Sequence, residues 1–123
     1  VHSSLQANSL SDCDFIIDAI FGYSFKPPVR GEFAVIIEKI NSSGKPCVSV
    51  DVPSGWDIER GDIDGTGIKS PAVVVSLSAP KLCMKNFVGI HYLGGRFVPP
   101  SMAQSMGLNL PKFPGSDPIV RLI

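Results

Sequence analysis

Apolar and polar positions along this chain follow two rhythms. Three short runs are apolar or β-branched and end in polar residues. They are Cys13 to Ile17 closing at Asp18, Cys47 to Val50 closing at Asp51, and Ala72 to Leu77 running into Ser78-Ala79-Pro80-Lys81. Such runs have the composition of buried strands. Between the first two, Phe33, Ile36, Ile37 and Ile40 fall at i, i+3, i+4 and i+7. That spacing predicts the apolar stripe of a helix over residues 31–42. Gly44 is placed to stop it, and Pro46 reinforces the break. Strand, helix and strand make a βαβ unit, hence a parallel pair joined by a right-handed crossover.

The rest of the chain is less regular. Residues 52–71 are polar and glycine-containing, with no helical stripe, and predict a long loop. A helical turn is expected around Lys81 to Asn86. Val88 to Leu93 and Arg96 to Val98 read as a hairpin around Gly94-Gly95. Residues 99–123 read as an extended, proline-rich arm, and residues 1–12 as a loop or partial element. Together these predict an α/β fold with a parallel sheet covered on both faces. Three strands are narrow, since doubly wound domains carry roughly five or more. The expectation is therefore the C-terminal portion of one larger domain, with an open edge and an uncovered face on its N-terminal side.

Composition narrows the possibilities. The chain has 123 residues, 44% of them hydrophobic, enough for a packed core in one small domain. Eleven basic and eleven acidic residues cancel, which argues against nucleic acid as a partner. No apolar run approaches the ~20 residues of a membrane span, and residues 1–5 have no basic segment leading into an apolar one, so no signal peptide is expected. Cys13, Cys47 and Cys83 are widely spaced with no CxxC pair. They read as buried small hydrophobes in a reducing compartment, not as a zinc or redox site.

Candidate chemistry concentrates at the strand ends, where open α/β sheets bind ligands. Asp18 and Asp51 each follow a strand and precede a turn. An Asp there can cap its own turn, or it can hold a cation, accept a ligand hydroxyl or act as a general base. Ser54 lies three residues beyond Asp51, past Pro53, which fixes the backbone and aims Ser54 back towards Asp51. An Asp–Ser oxygen pair suits a hard or alkali cation. Gly22-Tyr23-Ser24-Phe25-Lys26-Pro27-Pro28 lies between a strand and a helix N-terminus, a setting that suits phosphate. Gly65-Thr66-Gly67 lacks the third glycine of a dinucleotide fingerprint. Arg60-Gly61-Asp62 and the sequon Asn41-Ser42-Ser43 are best read as chance matches. His2 and His91 are isolated and read as structural. GxSxG is absent, which removes a serine hydrolase.

Several blocks taken together resemble one family. Ile17-Asp18-Ala19-Ile20-Phe21-Gly22-Tyr23-Ser24-Phe25-Lys26, Asp51-Val52-Pro53-Ser54-Gly55-Trp56-Asp57, Ser78-Ala79-Pro80-Lys81 and His91 to Pro100 resemble, in order, blocks of the YjeF N-terminal family. These are the NAD(P)H-hydrate epimerases, related to apolipoprotein A-I-binding protein. The resemblance implies a Rossmann-like, three-layer α/β fold and a homodimer. It implies interconversion of the R and S forms of hydrated NADH and NADPH (NADHX, NADPHX), with a bound potassium ion. Asp18 and Ser54 would be potassium ligands. Gly22, Tyr23, Ser24, Phe25, Lys26, Pro27 and Pro28 would hold the substrate, and Asp51 would contact it and carry the acid–base chemistry. The family's Asn/Gly/Asp-type loop is absent, so this chain alone is expected to be impaired. The alternative is a non-catalytic interaction or scaffold module of the same fold, with an apolipoprotein-type partner. A generic nucleotide binder is a third reading. Mitochondrial, cytoplasmic and secreted destinations all occur in the resembled family.

Overall fold

The β-branched run Val73–Leu77 (β3) can sit in the middle of a sheet because its residues fill both faces. In a computed structural model, which describes residues 10–123, it does so. Its neighbours are Cys47–Val50 (β2) on one side and Ile90–Gly94 (β4) on the other, both parallel to it. Ile16–Asp18 (β1) pairs in parallel with β2, and Ile119–Arg121 (β5) pairs antiparallel with β4. The described sheet thus has five strands in the order β1-β2-β3-β4-β5.

The helix α1, Glu32–Ser42, joins β1 to β2. Glu32 in its first turn and Lys39 in its last match the helix dipole. Gly44, at φ +67°, takes the left-handed conformation that ends the helix, as its position in the sequence predicts. Ile37 and Ile40 of α1 pack with Ile16, Val29, Cys47 and Ile68 into the buried cluster. Each such side chain contributes roughly 1.5–3 kcal/mol by leaving water. Phe33, expected in the same stripe, stays 45% exposed, with its ring edge-on to Phe21 at 5.1 Å between centroids.

Strand order decides which face is covered. When parallel strands follow one another in sequence order, right-handed crossovers all fall on one side. Burial follows this rule. Asp18, Ser49, Val74 and His91 form one register row and are all buried. Ile17, Val48, Val73 and Ile90 form the next row, on the opposite face, where Ile17 is 62% and Ile90 38% exposed. Among the described residues, the uncovered face and the open edge at β1 thus fall where the strand pattern places them.

Three expectations need correction. The sheet is wider than three strands, because β4 and β5 extend it. The hairpin around Gly94-Gly95 does not form. Gly94 belongs to β4 and pairs with Leu77, while Gly95, at φ +79°, turns the chain away, and 96–98 form no strand. The extended arm contains a helix, α2 (Pro100–Ser105), started by Pro100, and then β5. The helical turn after Lys81 is a 3-10 helix, Leu82–Asn86. Residues 10–12 form a turn, whereas the rest of the loop expected over residues 1–12, with His2, lies outside the described residues.

Candidate active site

Asp51 directly follows β2 at φ +71°, in the left-handed region that costs a non-glycine residue on the order of 1 kcal/mol. Several bonds hold it there. Its N–H donates to the Val75 carbonyl at 2.8 Å. Its Oδ2 accepts the Tyr23 N–H at 3.0 Å, and its Oδ1 is ion-paired with Lys81 Nζ. Lys81 also donates to the Leu77 carbonyl at 3.0 Å, and both paired side chains are only 14% exposed. Gly22 leaves room for this carboxylate, since a Cβ there would come within 3.2 Å of Oδ2. Three strand ends therefore converge on one acid: the turn after β1, the end of β2 and the segment after β3.

Asp18 works one layer deeper. It is 1% exposed, and its Oδ2 accepts the Ser49 hydroxyl and the Ser54 N–H, each at 2.8 Å. Its Oδ1 accepts one long bond, from the Ile20 N–H at 3.4 Å. Ser54, fully buried, returns the contact by accepting the Phe21 N–H on Oγ at 2.9 Å. The turns after β1 and β2 are thus bolted together in both directions. Among the described residues no Lys or Arg pairs with Asp18. Asp18 and Ser54 offer oxygen only, and Oδ1 keeps acceptor capacity, a donor chemistry that fits an alkali cation.

The polar segment 52–71 is a folded wall. Asp57 and Gly61 exchange two backbone bonds of 2.9 Å, and Asp57 Oδ1 caps the turn between them by accepting from Glu59 and Arg60. Trp56 Nε1 donates to the Ile68 carbonyl at 2.9 Å. Asn41, from the chance sequon, ties this segment to α1 through Gly67 and Lys69. Gly55, at φ +91°, lies so close to Gly67 that a Cβ would fall 2.5 Å from its Cα.

Two clefts meet at Tyr23, Ile58 and Glu59. One, of about 610 Å³, is floored by Asp51 and Lys81 and walled by Leu77 to Leu82. The other, of about 900 Å³, is lined by Tyr23 to Pro28 and by Asp57 to Arg60, Ile63 and Asp64. Gly22 and Tyr23 therefore join Asp51, whereas Ser24, Phe25, Lys26, Pro27 and Pro28 line the adjoining cleft. Backbone donors of this turn are partly engaged: Phe21 by Ser54, Tyr23 by Asp51 and Phe25 by Gly22. Ser54 does not turn back towards Asp51 as the sequence led one to expect; its N–H and hydroxyl bind Asp18 and Phe21.

Nothing local in the sequence marks Lys81 as a site residue, because thirty positions separate it from Asp51. Its strand-end position is the signal it shares with Asp18 and Asp51. His91 is structural as expected: its Nε2 lies 2.9 Å from the Ser76 hydroxyl under the sheet, and burial lowers its pKa. Burial raises the Cys47 thiol, helped by the Asp18 charge, and pushes Cys83 up to about 11. Neither is poised as a thiolate.

Residues 1–83 match the family model for the YjeF-related protein N-terminus. The chain belongs to the YjeF N-terminal family. A crystal structure of the yeast protein YNL200c is similar over 92% of this chain, with 42% identity and a TM-score of 0.83. The matched part is 48% of the yeast chain, so this chain spans about half the length of that relative. The family membership gives the strand-end blocks a common setting, with Asp18, Asp51, Ser54 and Lys81 gathered at one end of the sheet.

Proposed function

We propose that this chain carries part of an NAD(P)H-hydrate epimerase site, interconverting the R and S forms of NADHX and NADPHX. The observation behind this reading is Asp51, held in a left-handed conformation by Tyr23 and Lys81 at the floor of an open cleft. Inverting the hydrate carbon needs the C–O bond to open and re-form on the other ring face. Asp51 trades a proton with the hydroxyl or ring nitrogen in both directions. Lys81 orients Asp51 and balances its charge. Tyr23 borders the substrate, and Gly22 keeps the approach to Asp51 open. Ser24, Phe25, Lys26, Pro27 and Pro28 border the substrate beyond Tyr23, from the adjoining cleft. A potassium ion held by Asp18 and Ser54 would supply positive charge to a buried carboxylate that lacks a cationic partner. Two copies of the protein would form the working unit.

The uncovered apolar face of the sheet favours a second reading, a protein-interaction module of the same fold with an apolipoprotein-type partner. Epimer exchange on R-NADHX, with and without potassium, tests the first reading. Exchange by the natural protein that falls on the order of 100-fold or more in Asp51→Asn supports it. Exchange that is absent, or unchanged in the variant, would leave the interaction module.

A further inference from the structure

A third cleft, of about 650 Å³, begins where the Asp51 cleft ends, because Ser78 lines both. Ser78 sits at φ +64° and donates its N–H to the Gly94 carbonyl at 3.2 Å, which fixes the divide between the two. The third cleft has an apolar side formed by Leu93, Val98 and Phe113. Its charged side is Arg96 and Lys112, and no Asp or Glu lines it. Arg96 is anchored by a 2.8 Å bond from Nη1 to the Gly115 carbonyl and lies 5.7 Å from the Phe113 ring centre. Its other N–H groups remain for a ligand. Neither Arg96 nor Lys112 has a carboxylate partner among the described residues.

The other clefts differ in charge. The Asp51 cleft sets Asp51 and Glu59 against Lys81. The Tyr23–Pro28 cleft sets Asp57, Glu59 and Asp64 against Lys26 and Arg60. A dinucleotide reaching out of the Asp51 cleft thus meets a net acidic wall in one direction and a purely cationic pocket in the other. A half-buried aromatic ring with an Arg over it suits a nucleobase, and the two cations suit phosphate.

We propose that the Arg96–Lys112 cleft holds the phosphorylated adenosine end of the dinucleotide whose nicotinamide end lies at Asp51. This rests on the epimerase reading and adds a specificity site to it: the 2′-phosphate of NADPHX is recognised by Arg96 and Lys112. The test is calorimetry on the natural protein with 2′-phospho-ADP-ribose, ADP-ribose and inorganic phosphate. The 2′-phosphorylated nucleotide should bind tightest, and Arg96→Ala/Lys112→Ala should weaken it about tenfold or more, the worth of a lost charged hydrogen bond. Lys112→Ala alone removes an exposed side chain with no internal bond, so it keeps the fold and should still weaken that ligand several-fold. Equal affinity in wild type and both variants would overturn the site. Inorganic phosphate binding as tightly as the nucleotide would overturn the adenosine assignment. Arg96-dependent nucleotide binding without epimer exchange would remove the epimerase reading and leave the site, whereas exchange with Arg96-independent binding would remove the site alone.

Discussion

The Asp18 carboxylate accepts the Ser54 N–H at 2.8 Å, across thirty-six positions of sequence. The Ser54 hydroxyl in turn accepts from Phe21, two residues before Tyr23, whose N–H holds Asp51. A buried acid that lines neither cleft thereby sets the position of the acid at the floor of one. Strand ends supply the side chains, and this cross-bolt fixes their spacing.

Removing the bolt should be costly. Asp18→Ala would leave the Ser54 N–H unpaired in a buried site and the Ser49 hydroxyl with only a 4.0 Å contact to Cys47 Sγ. Each lost bond to a charged acceptor is worth about 1.5–3 kcal/mol. A loss of about 3 kcal/mol or more is expected in urea unfolding. A loss under about 1 kcal/mol would mean that the two turns hold together without it.

The same residue reports on the cation. If Asp18 and Ser54 hold potassium, potassium chloride should raise the thermal midpoint above that in a bulky organic cation at equal ionic strength. The gain should grow by about 1.4 kcal/mol per tenfold in potassium above its dissociation constant. Asp18→Asn should abolish the difference. Equal midpoints in the two salts would sink the potassium assignment.

Gly22 gives a cleaner probe of Asp51 than removing the acid. Its backbone suits any residue, yet a Cβ would press to 3.2 Å from Asp51 Oδ2. Gly22→Ala should leave the unfolding midpoint nearly unchanged. Displacing a reacting group by a fraction of an ångström should slow epimer exchange on the order of tenfold to 100-fold. Full activity in Gly22→Ala would show that the carboxylate position is not critical.

Much of this was legible in the chain. The runs at Ile16, Cys47 and Val73 and the Ile37/Ile40 spacing gave the βαβ unit, since burial on a sheet face imposes a pattern on each short segment. Gly94-Gly95 reads as a hairpin in the sequence because two glycines fit a hairpin as well as a strand end. β5 has three residues after Pro118, too few for any alternation. α2 has six, too few for a stripe. Lys81 and the Ser54–Phe21 bond arise from packing between distant segments, and nothing local in the sequence encodes their meeting.

The two faces of the sheet should respond differently to mutation. Ile37 is 1% exposed in the core, and Ile37→Ala should cost about 2–5 kcal/mol. Ile17, on the open face, should tolerate Ile17→Thr within roughly 0.5 kcal/mol. The chain should also bind a hydrophobic dye through that face, less so in Ile17→Thr. A large destabilisation in Ile17→Thr would mean that this face is covered.

His91 makes the fold sensitive to mild acid. Burial lowers its folded-state pKa below the ordinary 6.5, so the unfolded chain takes up the proton first. Where the unfolded state binds more protons, stability rises with pH. The contribution is therefore complete above about pH 6.5 and is lost as pH falls below that value towards the folded pKa, by about 1.4 kcal/mol for each pH unit crossed. His91→Gln can keep a bond to the Ser76 hydroxyl without titrating. Unfolding midpoints between pH 7.5 and pH 5 should fall more steeply in the wild type than in this variant. Parallel slopes would show that His91 titrates alike in the folded and unfolded chain.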